Sequence, residues 1–182
     1  MSGLTRLFRM IQDKPFLCVM KKPTYSFEQF LSYFPEADLP VLLHEETIQA
    51  FSRQNKPLPG SLIEQFAAAL QEDPADEFTE FIACLRLKNT GPMHALVYWK
   101  AHLLSYEYHL ATFTEQGRLI DRRGIAGTYS DGASLIRSVA TIEEDWEIIV
   151  VSGQSQNGRF QASDSRTIRL EILPDGNIVD VQ

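Results

Sequence analysis

The chain has 182 residues, of which 44% are hydrophobic and 23% are charged. This composition is typical of a globular domain, which excludes wholesale disorder and predicts a core that needs no disulfide or metal to form. The formal net charge is -7. Because nucleic-acid binding depends on lysine and arginine contacts with phosphates, this charge argues against a nucleic-acid partner.

The start of the chain carries no pattern typical of secretion. Arg6 and Arg9 interrupt what would be the apolar part of a signal sequence, and no small-residue cleavage site follows. No run in the sequence approaches the roughly 18 apolar residues that would span a bilayer. We therefore expect a cytoplasmic protein with no membrane partner.

The two cysteines, Cys18 and Cys84, each lie inside an apolar run. This placement predicts small buried side chains, because free cysteine is among the most buried residue types. No pair of cysteines has the spacing of a structural zinc site. We predict no cofactor, and the sequence leaves open whether the two cysteines form a disulfide.

Helical patterns dominate the first part of the chain. Apolar residues recur at helical spacing over residues 4–11, which predicts an amphipathic helix that covers the domain's own core, with a membrane surface as the alternative. A short apolar run over residues 16–20 predicts a strand. Residues 41–43 predict a short extended segment, and residues 44–54 predict a helix with Ile48 and Phe51 facing inward.

Two further helices carry N-terminal capping signals. Ser26 and Gln29 have the spacing of a capping box and predict a helix over residues 27–34. Ser61 is predicted to cap a second helix, over residues 62–71, with a glutamate three residues further on as its reciprocal partner.

From residue 78 the apolar period changes from 3.6 to 2, which is typical of strands. Residues 79–88 alternate in this way, with Phe81, Ala83, Leu85 and Leu87 predicted to share one face. Residues 93–103 alternate as well, with Trp99 predicted to face the core. Residues 104–121 predict a hairpin in which Gly117 supplies the positive φ of a tight turn. Further strands are predicted over residues 135–142 and 146–152, with the acidic residues 143–145 as the turn between them. Residues 124–132 are predicted to form a loose link, and residues 154–165 a long loop.

A weak internal repeat links two of these hairpins. Residues 113–121 and 172–180 both contain an apolar strand end, a turn with glycine, two apolar residues and an aspartate. The spacing is too irregular for a propeller or a solenoid. Short turns between sequential strands instead predict an antiparallel meander.

Together these patterns predict one domain of the α+β class over residues 1–182. Its N-terminal helices, in residues 1–75, are expected to pack on a C-terminal antiparallel meander sheet of six to eight strands, in residues 78–182. One face of such a sheet can pack on helices while the other faces water or curls over a cavity.

No motif in the sequence defines a reaction, so the leading hypothesis is a soluble binding or interaction protein that uses one face or the rim of the sheet. Tyrosines on a half-exposed sheet face favour a binding surface, and Tyr98, Tyr106 and Tyr108 are the candidates. Arg122 belongs to a small basic patch that could bind a carboxylate or phosphate. The expected partner is a protein or a small apolar ligand.

The alternative hypothesis is a small metal-dependent or hydrolytic enzyme built on strand histidines. His94, His102 and His109 fall on neighbouring predicted strands, and three converging imidazoles are a zinc-binding arrangement. Cys84 opposite a histidine is a further candidate nucleophile. Glu107 shares a predicted face with His109, and the simpler interpretation is an exposed cross-strand partner for a basic residue.

Overall fold

A computed structural model describes residues 24–66, 79–130, 134–156, 159–160 and 165–181. The helix predicted over residues 4–11 and the strand predicted over residues 16–20 lie outside the described residues.

The described residues contain three short helices of five, eight and seven residues: α1 (Phe27–Leu31), α2 (Thr47–Gln54) and α3 (Gly60–Phe66). The capping box that begins α1 is confirmed. The Ser26 hydroxyl accepts from the Gln29 amide at 3.2 Å, and Oε1 of Gln29 accepts from the Ser26 amide at 2.8 Å. The predicted cap at Ser61 is wrong, because α3 already begins at Gly60 and the Ser61 hydroxyl donates to the Tyr25 hydroxyl at 3.0 Å.

Eleven described strands form one sheet. They are β1 (Glu36–Ala37), β2 (Val41–Leu43), β3 (Glu80–Leu87), β4 (Met93–His102), β5 (Ser105–Thr114), β6 (Leu119–Ser130), β7 (Leu135–Ile142), β8 (Glu147–Gln156), β9 (Arg159–Phe160), β10 (Arg166–Ile172) and β11 (Ile178–Val181).

The predicted meander is present, since strands β3 to β8 pair in sequence order and every one of these pairings is antiparallel. The predicted size of six to eight strands is wrong. Two of the additional strands lie in the N-terminal part of the chain. Strand β2 confirms the extended segment predicted over residues 41–43, whereas β1 was not predicted. A strand of two residues is too short to produce a period in the sequence.

The sheet curls until its first strands meet its middle. Strand β1 pairs in parallel with β3, and β2 pairs with β7, although only residues 38–40 separate them in the chain. Since three residues span at most about 11 Å, β3 and β7 must approach each other at this point. At the other end of the strand order, Oδ2 of Asp121 in β6 accepts from the Ile178 amide in β11 at 2.9 Å.

Two apolar layers result. The interior core runs from Leu85 in β3 to Ile178 in β11, and Tyr108 is fully buried within it. An outer layer on β3, β4 and β5 is covered by α1 and α3 and contains a group of phenylalanines, including Phe30 and Phe113. Trp99 packs against the interior core, on the predicted side of β4.

A β-bulge in β3 exchanges the faces that the sequence pattern assigned. The register shifts between Ala83 and Leu85, so that Ala83 belongs to the outer layer while Leu85 belongs to the interior core. The side-chain amide of Asn55 donates through Nδ2 to the carbonyls of Ala83 and Cys84, both at 2.7 Å. A bulge adds one residue to a strand and interrupts simple alternation, which is why the predicted common face of β3 is wrong.

Three hairpins are built on the same five-residue turn. In the predicted pair, the Thr114 amide donates to the Arg118 carbonyl and the Leu173 amide to the Asn177 carbonyl, both at 2.9 Å. The repeat therefore has a structural basis. Residues 143–147 form the same pattern, with the Glu143 amide donating to the Glu147 carbonyl at 2.8 Å. We call the end of the sheet that holds these turns the turn end, and the opposite end, where β4 meets β5, the tip end.

Candidate functional site

An open cavity of about 500 Å³ lies at the tip end of the sheet. Cross-strand pairing explains its composition, because Tyr129, Ile136 and Gln154 stand side by side on β6, β7 and β8. Ser152 of β8 pairs with Arg166 of β10 in the same way. The cavity, which we call the tip pocket, is lined by Tyr129, Ile136, Ser152, Gly153, Gln154, Ser165 and Arg166.

The tip pocket continues the interior face of the sheet. Ile148 and Val150 of β8 are buried in the interior core, and side chains two residues apart in a strand share a face. The next positions on that face are Ser152 and Gln154, which line the tip pocket. The concave surface therefore changes from apolar to polar as it approaches the tip end.

The polar lining is available to a ligand. Within the described part of the chain, the side chains of Tyr129, Ser152, Gln154 and Arg166 make no hydrogen bond or ion pair. Arg166 carries the only charge among the described lining residues. By contrast, Arg169 on the same strand pairs with Glu147 at 3.0 Å.

Exposed apolar side chains stand beside this pocket. Leu103 is 76% exposed and Leu104 is 56% exposed, and they form the connection between β4 and β5. The Ser130 amide donates to the Leu104 carbonyl at 2.9 Å, which fixes the connection next to the end of β6. The tip end therefore combines an apolar ridge with a polar cavity.

The three tyrosines singled out from the sequence do not converge. Tyr98 is buried in the outer layer, Tyr108 is buried in the interior core, and Tyr106 is 50% exposed and stacks on Trp99 with ring centroids 6.1 Å apart. Arg122, the fourth candidate, lies on β6 opposite Ala111. None of these four residues lines the tip pocket.

The three strand histidines are also separated. His94 stands opposite Phe113, His109 opposite Tyr98, and His102 opposite Ser105, so they are spread along the length of β4 and β5. In the described ranges, no group of three histidine, cysteine, aspartate or glutamate side chains is placed to hold a metal ion. The imidazole of His94 packs edge-on against Phe27 at 5.6 Å.

His109 has the most perturbed environment of the three histidines. Its ring stacks on Tyr98 at 5.1 Å, and burial lowers the pKa of His109 to about 4, with the charges of Lys100 and Arg122 acting in the same direction. Ser105 donates to Glu107 at 2.5 Å on the same strand. Glu107 and His109 thus share a face, as the alternation predicts, and the imidazole is neutral near pH 7.

Cys84 is placed as a structural side chain. It is 1% exposed in the interior core, and burial raises the pKa of its thiol well above the ordinary value. A thiol acts as a nucleophile through its thiolate, which this environment disfavours.

Comparisons with protein-family models, with curated proteins and with solved structures find no match to this chain. None of the described helices is long and apolar enough to cross a membrane. The cytoplasmic location stays a prediction.

Proposed function

We propose that the protein is a binding protein that takes a small ligand with an anionic group into the tip pocket. The observation that supports this function is a preformed cavity of about 500 Å³ in which the side chains of Tyr129, Ser152, Gln154 and Arg166 lack partners within the described chain. Ligand cavities are usually about 300–1,000 Å³ and contain a few polar groups that orient the ligand.

Arg166 defines the chemistry of the proposed ligand. A guanidinium group can hold a carboxylate through two parallel hydrogen bonds, and such charge-assisted bonds are stronger than neutral ones. Gln154 and Ser152 add an amide and a hydroxyl to the same wall. We therefore expect a polar carboxylate ligand, in place of the small apolar ligand that the tyrosine pattern predicted.

Ile136 and the ring of Tyr129 give the pocket an apolar side. A ligand with a small ring or short alkyl chain next to its carboxylate would cover these side chains while the carboxylate contacts Arg166. Apolar burial adds affinity in proportion to the area removed from water.

The proposal is tested with 4-(trifluoromethyl)benzoate as the probe and ¹⁹F NMR as the readout. We expect saturable binding to the full chain and at least about tenfold weaker binding to the Arg166→Gln variant, since about 1.4 kcal/mol corresponds to tenfold in affinity. The matched control is Arg169→Gln, which changes an arginine on the same strand that is already paired with Glu147.

A second control uses 4-(trifluoromethyl)benzamide, which has the shape of the probe without its charge. Equal binding of the amide, or unchanged binding to Arg166→Gln, would contradict the proposal.

A further inference from the structure

A second cavity, of about 370 Å³, lies at the turn end of the sheet. It forms where the segment between β1 and β2 meets the turn after β3 and the turn between β7 and β8. We call it the turn pocket. Its lining residues with polar or aromatic side chains are Asp38, Lys88, Asn89, Glu144 and Trp146.

The backbone around the turn pocket is unusual. Among the described residues other than glycine, just two have a positive φ, namely Asn89 at 58° and Trp146 at 69°. Both line the turn pocket. Left-handed backbone in a bulky residue is a true outlier and concentrates at binding and active sites.

The repeated turn shows what Trp146 replaces. The corresponding position is Gly117 in one hairpin and Gly176 in the other, with φ values of 80° and 92°. Glycine adopts this conformation without strain. In the third hairpin the same position holds Trp146. Its left-handed backbone is strained, and the residue lines the cavity.

The charges of the turn pocket favour a cation. Asp38 accepts from Lys88 at 2.6 Å, and this hydrogen bond raises the pKa of Lys88, with the charges of Asp38 and Glu36 acting in the same direction. Glu144 makes no ion pair with any described residue. After Lys88 has neutralised Asp38, Glu144 remains as an uncompensated carboxylate in the pocket that Trp146 also lines.

We propose that the turn pocket binds a guanidinium group between the ring of Trp146 and the carboxylate of Glu144. A guanidinium group is planar, stacks on aromatic faces and pairs with carboxylates through two hydrogen bonds. This site is independent of the proposed function, because it lies at the opposite end of the sheet and requires a ligand of opposite charge.

The test uses ¹⁹F NMR of the full chain labelled with 5-fluorotryptophan. The sequence holds two tryptophans. Both pack against the interior core, but Trp99 stacks on Tyr106 and does not line the turn pocket, whereas Trp146 lines it. Trp99 therefore serves as an internal control, and the Trp99→Phe variant assigns the two signals. The probe is N-acetyl-L-arginine amide.

We expect the Trp146 signal to shift saturably with the arginine probe while the Trp99 signal stays in place. N-acetyl-L-citrulline amide, which keeps the shape but lacks the charge, should produce no saturable shift. Glu144→Gln should weaken binding at least about tenfold, because it removes the carboxylate and keeps the size of the side chain.

The matched variant is Glu143→Gln, which changes the neighbouring carboxylate of the same turn without altering the lining of the turn pocket. It should bind the arginine probe as the unmodified chain does. The proposal is overturned if the Trp146 signal does not move, if citrulline has the same effect, or if Glu144→Gln and Glu143→Gln bind equally well.

Discussion

The two ends of the sheet are built from the same strands but differ in how many of their polar and apolar groups are paired or packed. At the turn end, one five-residue turn occurs three times, and its backbone groups are paired in each copy. At the tip end, leucine side chains are exposed, and Ser152, Gln154 and Arg166 of the tip pocket have no side-chain partner in the described chain. Surfaces that bind are commonly built on connections held by a rigid scaffold.

Side-chain packing reinforces the turn end. A β-carbon added at Gly117 would lie 2.5 Å from the ring of Phe27, and one added at Gly176 would lie 2.6 Å from Ile120. The turn at Gly117 therefore has no room for a side chain, whereas at Gly176 the end of the Ile120 side chain would have to move. Trp146 is the exception at this end, and it is also the residue that lines a cavity there.

The largest effect is expected when a packed turn glycine is changed. Gly117→Ala should lower the free energy of unfolding by about 3 kcal/mol, because a left-handed alanine costs about 1–2 kcal/mol and the overlap with Phe27 adds about 1–3 kcal/mol. Urea denaturation measures the change.

The control for this prediction is Gly91→Ala. Gly91 has a φ of 66°, but nothing lies within 4 Å of its added β-carbon. Gly91→Ala should therefore lower the free energy of unfolding by the cost of the left-handed backbone alone, about 1–2 kcal/mol. Equal losses for the two variants would show that packing does not reinforce the turn end.

The next effect concerns His109, which lies on β5 between the two ends. Its pKa of about 4 in the folded chain is below the value of about 6.5 in an unfolded chain. The unfolded chain therefore binds more protons between these values, and His109 lowers stability as the pH falls from about 6.5 to 4. Above pH 6.5 this contribution to stability is fully present.

The pH effect is measured by comparing the unmodified chain with His109→Gln at pH 7.5 and pH 4.5. The unmodified chain should lose about 2 kcal/mol more than the variant over this range. Carboxylates titrate in both proteins, so the difference isolates His109. Identical pH profiles would mean that the imidazole is not protected in the folded chain.

The sequence predicts the regular elements of the turn end well. The capping box at Ser26 and the glycine turns at Gly117 and Gly176 are local signals, and a local signal remains readable in one sequence. The turn at Trp146 has the same geometry without glycine, and the acidic residues before it were its sole signal as a turn.

Non-local features were not predictable in this way. Strand β1 exists because it pairs with residues of β3 that lie 50 positions further along the chain, and the bulge at Cys84 reverses the face of β3. The loose link predicted over residues 124–132 is wrong up to Ser130, because β6 continues through Gly124 and Gly127. Glycine lowers strand propensity locally, while pairing on both sides overrides it.

The tip pocket was not predicted either, because it too depends on contacts between residues that are distant in the chain. Its lining comes from four strands, and Arg166 lies next to a stretch that was predicted as a loop. The aromatic pattern of the sequence predicts Tyr98, Tyr106 and Tyr108 as ligand contacts. The curled sheet instead distributes them between two apolar layers and the exposed rim. The sequence does contain one indication of the tip pocket: the alternation of β8 continues beyond Val150, where serine and glutamine take the place of the apolar residues.

A smaller effect is expected at Trp146, where the usual order of substitutions should be reversed. Trp146→Gly should be about 1 kcal/mol more stable than Trp146→Ala. Both variants lose the indole, but only glycine removes the strain of the left-handed backbone. The greater conformational entropy of glycine in the unfolded chain offsets part of this gain. Thermal and urea denaturation of the two variants give the comparison. If alanine is the more stable of the two, the turn at Trp146 is not equivalent to the glycine turns.

The smallest effect is expected at the tip end. Leu104→Ser should change the free energy of unfolding by less than about 0.5 kcal/mol, since Leu104 is 56% exposed and substitutions on an open surface rarely exceed that value. Its main-chain hydrogen bond with Ser130 does not depend on the side chain. A loss of more than about 1 kcal/mol, measured by urea denaturation, would mean that this leucine stabilises the fold as the turn-end side chains do, and the contrast between the two ends would fail. A loss near zero means that the sheet folds without the apolar side chain of Leu104, which therefore remains available for contacts outside the chain.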